Sequence, residues 1–436
     1  MHLAQKNSFK KSQVLLLFLY VCVFIFCVSQ EAIYSYDTYD YLKAMPYRQL
    51  GYVLFAKSFS YIFGSYFDIA VVMFQTIFSL LAVHYFYTKV SKLLVLNIFL
   101  KLPLLAILIF PFFQPLSIAN NICSEGLGYG LYLLFVAIGM DILLSNNYKN
   151  LKYYTIVYLS LVFIRSQFIM STLIFAGVYF LMYRKTIRHK KHLIRITIFC
   201  GIILIASVTE RSYHKLKDGF FKPTPLGFTS ASTAPIYVSD REDYKLIADA
   251  DYRAIFKKSY ATLIEKNLLL RANQTPLEDY MNFHNDLPKI CNQTLSQQGI
   301  DYYSAAQLPE GLNEKQALSY PYFETEAACK IFTIVLIQDN FKKWIRLFYT
   351  NITYGFHTPF LFFTVVFLFF FSLIKTVFYY KKSYAILFLL SSLILSNALF
   401  IAFASHSIMR YLFYNYALIF LLFISTLKLI KLGSKD

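Results

Sequence analysis

Long uninterrupted apolar runs dominate the chain, without the alternation of half-buried strands or the heptads of a coiled coil. Ten of them, at residues 14–28, 67–87, 93–113, 126–144, 153–164, 168–183, 194–208, 359–379, 384–404 and 411–427, approach the about 20 apolar residues that carry an α-helix across a bilayer. The two runs flanking Arg165 are individually short and predict half-length helices meeting near one membrane face. Between 209 and 357 the long runs stop. There Ile255, Tyr260, Leu263 and Leu268 recur at near-helical spacing within 254–270. A second amphipathic helix is predicted over 324–348, with Phe341, Trp344, Ile345 and Phe348 at headgroup level along the outer membrane surface. The pattern therefore predicts an all-α integral membrane protein of about ten transmembrane helices: an N-terminal membrane module (1–208), a soluble α-rich outer insertion (209–357) and a C-terminal membrane module (358–436).

Composition agrees. The chain is 57% hydrophobic and only 15% charged, against about 45–50% and about 25% for soluble domains. Disorder and a small disulfide scaffold are excluded, because 45 Phe and 37 Tyr must be buried in something. The net charge of +18 would suit a nucleic-acid binder, but the basic residues flank the apolar runs, so topology explains them and no nucleic-acid partner is expected. Lys6, Lys10 and Lys11, Lys89 and Lys92, Lys149 and Lys152, the cluster from Arg184 to Arg195, Lys381 and Lys382, and Lys428, Lys431 and Lys435 all fall on one side of a ten-span count. Positive-inside bias makes that side, with both termini, cytoplasmic. The alternate loops hold Glu31, Asp37, Asp40, Asp68 and Glu125, and 209–329 carries 16 of the 24 acids against 13 Lys plus Arg. The basic start resembles a secretory signal, but Cys27-Val28-Ser29-Gln30-Glu31 lacks a small-residue cleavage site, so the first run reads as an uncleaved anchor in a plasma membrane, most simply a bacterial inner membrane. The sequons at Asn273, Asn292 and Asn351 would matter only in a secretory pathway.

Four of the six cysteines sit in or beside spans as small apolar residues. Cys291 and Cys329 share the outer insertion, where an oxidising compartment permits a disulfide without requiring one. No spacing matches a metal site, and there is no P-loop, GxGxxG or HExxH. Any reaction would therefore take place at the outer face, where nucleotide-activated substrates are not expected. Activation energy would have to arrive through the membrane, most simply as a lipid-linked phosphodiester. The first outer loop, Tyr34-Ser35-Tyr36-Asp37-Thr38-Tyr39-Asp40-Tyr41, meets that demand: Asp37 and Asp40 share a helix face, and a carboxylate just beyond a span end suits a general base. A polar loop within an interfacial aromatic belt would look similar.

Asp37-Thr38-Tyr39-Asp40-Tyr41, then Arg48-Gln49-Leu50-Gly51-Tyr52, Phe63-Gly64 and Gln75, resemble the opening of the C-type (GT-C) membrane glycosyltransferases, the protein mannosyltransferases and aminoarabinose transferases among them. Cys123-Ser124-Glu125-Gly126 resembles the Thr-Glu-Ser-Leu that opens that family's fourth span, Ile164-Arg165-Ser166 its Arg-Pro, and Met409-Arg410-Tyr411 its final Arg-Tyr. Leu50 and Ser166 stand where the family has Pro, and Ser124 where it has Thr. The resemblance implies a GT-C-like fold and transfer of a sugar, with inversion, from a polyprenyl-phosphate donor to a lipid, glycan or protein acceptor. It implies Asp37 as base, with Asp40 as second choice and Glu125 positioning the acceptor. Arg48, Lys57, Arg165 and Arg410 would gather the donor phosphate, and Tyr39, Tyr41, Tyr52, Tyr411 and His406 would contact sugar or acceptor. A divalent cation at Asp37 and Glu125 is the one cofactor left open. An Arg at a span end is also what a snorkelling headgroup contact looks like. The rival readings are a flippase of lipid-linked saccharides, for which Lys101 inside the third run is the main hint, and a surface-polysaccharide polymerase or ligase. Asp249-Ala-Asp251 has the form of a metal-binding DxD motif but no matching surroundings, and is read as chance.

Overall fold

The computed structural model describes residues 2–271, 273–305, 308–379 and 381–433, without the side chains of 2–12, 305 and 432–433. Lys435 lies outside the described residues, as do the side chains of Lys6, Lys10 and Lys11. Among the described residues there is no strand, only one isolated parallel bridge between Ile33 and Asn121. The chain forms two compact units: 1–45, 49–168 and 416–436 make the first, and 46–48 with 169–415 the second. This partition interleaves the linear order of modules drawn from the sequence.

The first unit holds α1 (His2–Ser29), α2 (Tyr36–Lys43), α3 (Leu50–Phe63), α4 (Phe67–Leu93), α5 (Ile98–Ile109), α6 (Ser124–Ser145) and α7 (Leu151–Ile164). The second holds α8 (Ser171–Tyr183), α9 (Lys190–Asp218), α10 (Gly227–Ala231), α11 (Thr233–Tyr237), α12 (Ala250–Glu265), α13 (Pro276–Ile290), α14 (Gln297–Ala305), α15 (Glu314–Asp339), α16 (Phe341–Gly355), α17 (Pro359–Tyr379), α18 (Lys382–Ala404) and α19 (Met409–Leu412). The chain then returns to the first unit with α20 (Asn415–Gly433).

Among the described residues six helical runs are long and apolar enough to cross a membrane: Leu50–Leu93, Ser124–Ser145, Ser166–Tyr183, Lys190–Asp218, Pro359–Tyr379 and Lys382–Ala404. Of the other expected runs, α1 has 28 residues and α20 has 19, whereas those at 93–113 and 153–164 form shorter helices. At 1.5 Å per residue, α5 with 12 residues and α7 with 14 reach only about 18 and 21 Å, against about 30 Å of hydrocarbon. Conversely, α4 is preceded without a polar gap by α3, the two separated by a turn at Gly64, whose φ of 52° is left-handed and suits glycine.

In the first unit α6 is the central element, buried along nearly its whole length and packed on α4 and α7. Two glycines let it approach so closely: a Cβ at Gly126 would fall 2.7 Å from Gln75 Cδ, and one at Gly130 2.7 Å from Phe78. At the far end of α6, Asp141 is buried and accepts from Lys89 at 3.0 Å and from Asn147 and Asn150 at 3.0 and 2.9 Å. A carboxylate near a helix C-terminus opposes the dipole, and these three donors offset it.

In the second unit, the helices between 234 and 347 close around a core of their own, including Ile255, Phe256, Leu263, Tyr280, Phe283, Cys291 and Phe332. The amphipathic helix expected over 324–348 is two helices. Asn340 breaks it, and its buried amide donates to Asp243 Oδ2 at 2.7 Å. Cys291 and Cys329 are both buried free thiols in this core, not a disulfide, and burial pushes the Cys329 thiol up to about 12. Asp249 caps α12 through the amides of Asp251 and Tyr252, and Asp251 accepts from Tyr302, so the DxD-like pair has local structural roles. Asn351 is 2% exposed and hydrogen-bonded on all sides, so it is no glycosylation acceptor in the folded chain.

Candidate functional site

Two helix starts meet in the first unit. Ser35 is the N-cap of α2: its amide donates to Thr38 Oγ1 at 3.0 Å, and Thr38 Oγ1 donates in turn to the Ile122 carbonyl at 2.9 Å. The preceding strand-like segment is fixed to the same loop, with Ile33 N donating to Asn120 O at 2.8 Å and Ile122 N to Ile33 O at 3.1 Å. Asn120 Nδ2 also donates to the Cys27 carbonyl at 2.7 Å, tying the loop to the end of α1. These bonds set the first turn of α2, with Asp37, against the first turn of α6, with Glu125. Cys123, the N-cap of α6, places its thiol 3.6 Å from Asp37 Oδ2. Both acids stand where the positive end of a helix favours a carboxylate.

Arg165 reaches this place from the end of α7, where the backbone turns extended (φ −144°, ψ 99°). Its Nη1 lies 2.8 Å from Glu125 Oε1 and 3.1 Å from Ser124 Oγ, while Nε and Nη2 donate to Gln167 Oε1 at 3.1 and 3.0 Å. Glu125 is 3% exposed and Arg165 9%. All three guanidinium nitrogens of Arg165 are thus engaged, which offsets part of the cost of burying the ion pair. Gly51 allows α3 to lie against the same end of α7, because a Cβ there would meet the Phe163 carbonyl carbon and oxygen at 2.9 Å. Gln49 adds a bond to Ser166 at 3.3 Å.

The aromatic residues divide. Tyr52 is fully buried and donates to Gln75 Oε1 at 3.2 Å, and Gln75 donates to the carbonyls of Ala119 and Asn121. Tyr41, also buried, packs edge-on against Tyr52 with ring centroids 4.6 Å apart. Tyr39 is exposed beside Tyr34. Asp40 is half-buried on α2, and Lys57 is exposed on α3, directly after the buried Ala56. Thus Asp37, Glu125 and Arg165 are gathered into one cluster, whereas Tyr41 and Tyr52 sit in the packing beneath it. Arg48, His406, Arg410 and Tyr411 belong to the second unit. There Arg48 stands over the Tyr47 ring, which packs on Tyr322, and the half-buried Arg410 lies on the short α19. The Tyr411 carbonyl accepts from Asn397.

Cys123, Ser124 and Gln167 are the partners that residue patterns did not single out as site groups; Cys123 and Ser124 lie within the motif around Glu125, but Gln167 carried no signal. Among the described residues no group of three His, Cys, Asp or Glu side chains is placed to hold a metal ion, and one Glu125 oxygen is taken by Arg165. The donor set therefore does not fit a divalent cation at Asp37 and Glu125. No protein-family model, no curated protein and no solved structure matches the chain.

Proposed function

We propose that the protein is an integral membrane glycosyltransferase of GT-C type that moves a sugar from a polyprenyl-phosphate carrier to an acceptor at the outer membrane face, with ten spans and 209–357 outside. The observation that carries this reading is the joining of three motif residues, Asp37, Glu125 and Arg165, from three distant segments at two apposed helix starts. A lipid-facing belt has no need of such an arrangement, since ionisable groups near spans are costly unless used.

In this reading Asp37 takes the proton of the acceptor hydroxyl. The acceptor oxygen forms its bond to the anomeric carbon as the bond from that carbon to the phosphate oxygen breaks, and the electron pair leaves with the polyprenyl phosphate. The leaving group needs charge stabilisation rather than a proton. Because Arg165 is engaged by Glu125 and Gln167, its first task is to fix the start of α6. The test is transfer of a radiolabelled sugar from a polyprenyl-phosphate donor by the reconstituted chain. Asp37→Asn, which keeps shape and removes the base, should lower the rate by about 10²–10⁴. Unaltered transfer by Asp37→Asn would remove the assigned base. A wild-type chain that moves the lipid-linked saccharide across the bilayer but transfers nothing would favour the flippase.

A further inference from the structure

The second unit contains a polar cluster that the proposed chemistry does not use. His284, on α13, and His406, in the turn after α18, stand with ring centroids 4.7 Å apart. His406 Nδ1 is 2.9 Å from the His284 carbonyl oxygen. A carbonyl only accepts, so Nδ1 carries the hydrogen and the neutral ring keeps its lone pair on Nε2. Tyr280 is fully buried, and its hydroxyl accepts from Ser407 N at 3.3 Å and pairs with His284 Nδ1 at 3.1 Å. With the hydroxyl donating in that pair, the His284 hydrogen is on Nε2. Burial lowers the affinity of both rings for a second proton, His406 to about 4.

The turn is held rigidly. Asn351 Nδ2 donates to the carbonyls of Ala402 and Ser405 at 3.0 and 2.8 Å, and its Oδ1 accepts from Ser407 N at 2.8 Å. Gly355 leaves room for Ser407, since a Cβ there would come within 2.8 Å of it. Tyr354 packs on both Tyr280 and His284 at 5.0 and 5.3 Å and remains 37% exposed.

We infer that this cluster is a saccharide-binding subsite, in which a sugar hydroxyl donates to His406 Nε2 and accepts from His284 Nε2 while a sugar face lies against Tyr354. One acceptor beside one donor matches a hydroxyl, which is both. The groups named are neutral, which suits an uncharged polyhydroxylated ligand over a phosphate, and an exposed ring on a fixed support offers the apolar wall. The inference deepens the proposed transfer by naming where the second unit would hold an acceptor glycan, and it rests on that reading only for its purpose, not for binding.

The test is saturation-transfer NMR on the full chain in nanodiscs, against empty nanodiscs, with methyl α-D-glucopyranoside, methyl α-D-mannopyranoside and methyl β-D-galactopyranoside. At least one should bind with Kd of about 1–10 mM, as ligands of that size allow. His406→Phe should weaken it about five- to tenfold, the loss of one neutral hydrogen bond. Tyr354→Ala, at an exposed ring, should weaken it comparably and serves where His406→Phe does not yield a monodisperse protein. Absence of transfer from all three glycosides, or undiminished binding in both variants, overturns the inference. Glycoside binding without any sugar-transfer activity would sink only the enzymatic reading. Asp37-dependent transfer by a chain that binds none of the glycosides would sink only this one.

Discussion

The Glu125–Arg165 pair offers a quantitative check on the cluster. At 2.8 Å, two unit charges attract by about 6 kcal/mol at an effective dielectric of about 20, and much of this is offset by taking both groups out of water. Removing one partner forfeits the attraction but not the other's desolvation. Glu125→Gln and Arg165→Met, each close to its parent in shape, should therefore destabilise by about 3–5 kcal/mol singly. The double variant leaves no uncompensated charge, so its loss should fall short of the sum by about 1–3 kcal/mol. The assay is unfolding of the detergent-solubilised chain followed by intrinsic fluorescence, with size exclusion to confirm a single species before heating. Losses in the double variant that equal the sum of the singles to within about 0.5 kcal/mol would refute the reasoning. The two groups would then be independent, and the shared cluster at the start of α6 would lose its physical basis.

Two further expectations follow from the same geometry. Gly51→Ala should lower stability by about 1–3 kcal/mol, because the clash is with fixed backbone of α7, and should impair the cluster by shifting the segment that carries Arg165. Gly177→Ala, with nothing within 4 Å of the added carbon, is the matched helical control and should be neutral or slightly stabilising in the same melt. For His406, the folded ring resists a proton that the unfolded one takes at its ordinary pKa. Its contribution is therefore whole above about pH 6.5 and is lost as pH falls toward 4. Melts between pH 7.5 and 4.5 should show this acid limb, worth up to about 3 kcal/mol, and His406→Phe should flatten it; an unchanged limb would mean that the ring is not held neutral.

The sequence disclosed what depends on local composition and concealed what depends on approach. Apolar runs are additive along the chain, so the all-helical character and the cores of α6, α9, α17 and α18 could be read directly. Whether a run has the length to cross a bilayer is decided at its ends, where Pro103 and Pro111 sit in or after α5 and Arg165 ends α7, so that both helices are shorter than the apolar pattern suggests. Asp37 and Glu125 were legible as acids in the first turns of helices, a position that short-range grammar marks. Their apposition was not, because it depends on a backbone bond between 33 and 122 and on the bond from the Thr38 hydroxyl to the carbonyl of 122, which no periodicity records. The imidazole pair was hidden for the same reason: a polar side chain between apolar neighbours looks alike whether it meets a headgroup or a partner more than a hundred residues away. The glycines give a partial remedy. Gly130 lies in a helix interior, where glycine costs about 1 kcal/mol relative to alanine, and Gly51 and Gly126 in the first turns of α3 and α6; each one marks a close contact with another helix. An unexplained glycine inside an apolar helix is thus a sequence-level sign of close packing, and in this chain two of the three stand within a few residues of the motif positions that the fold brings together.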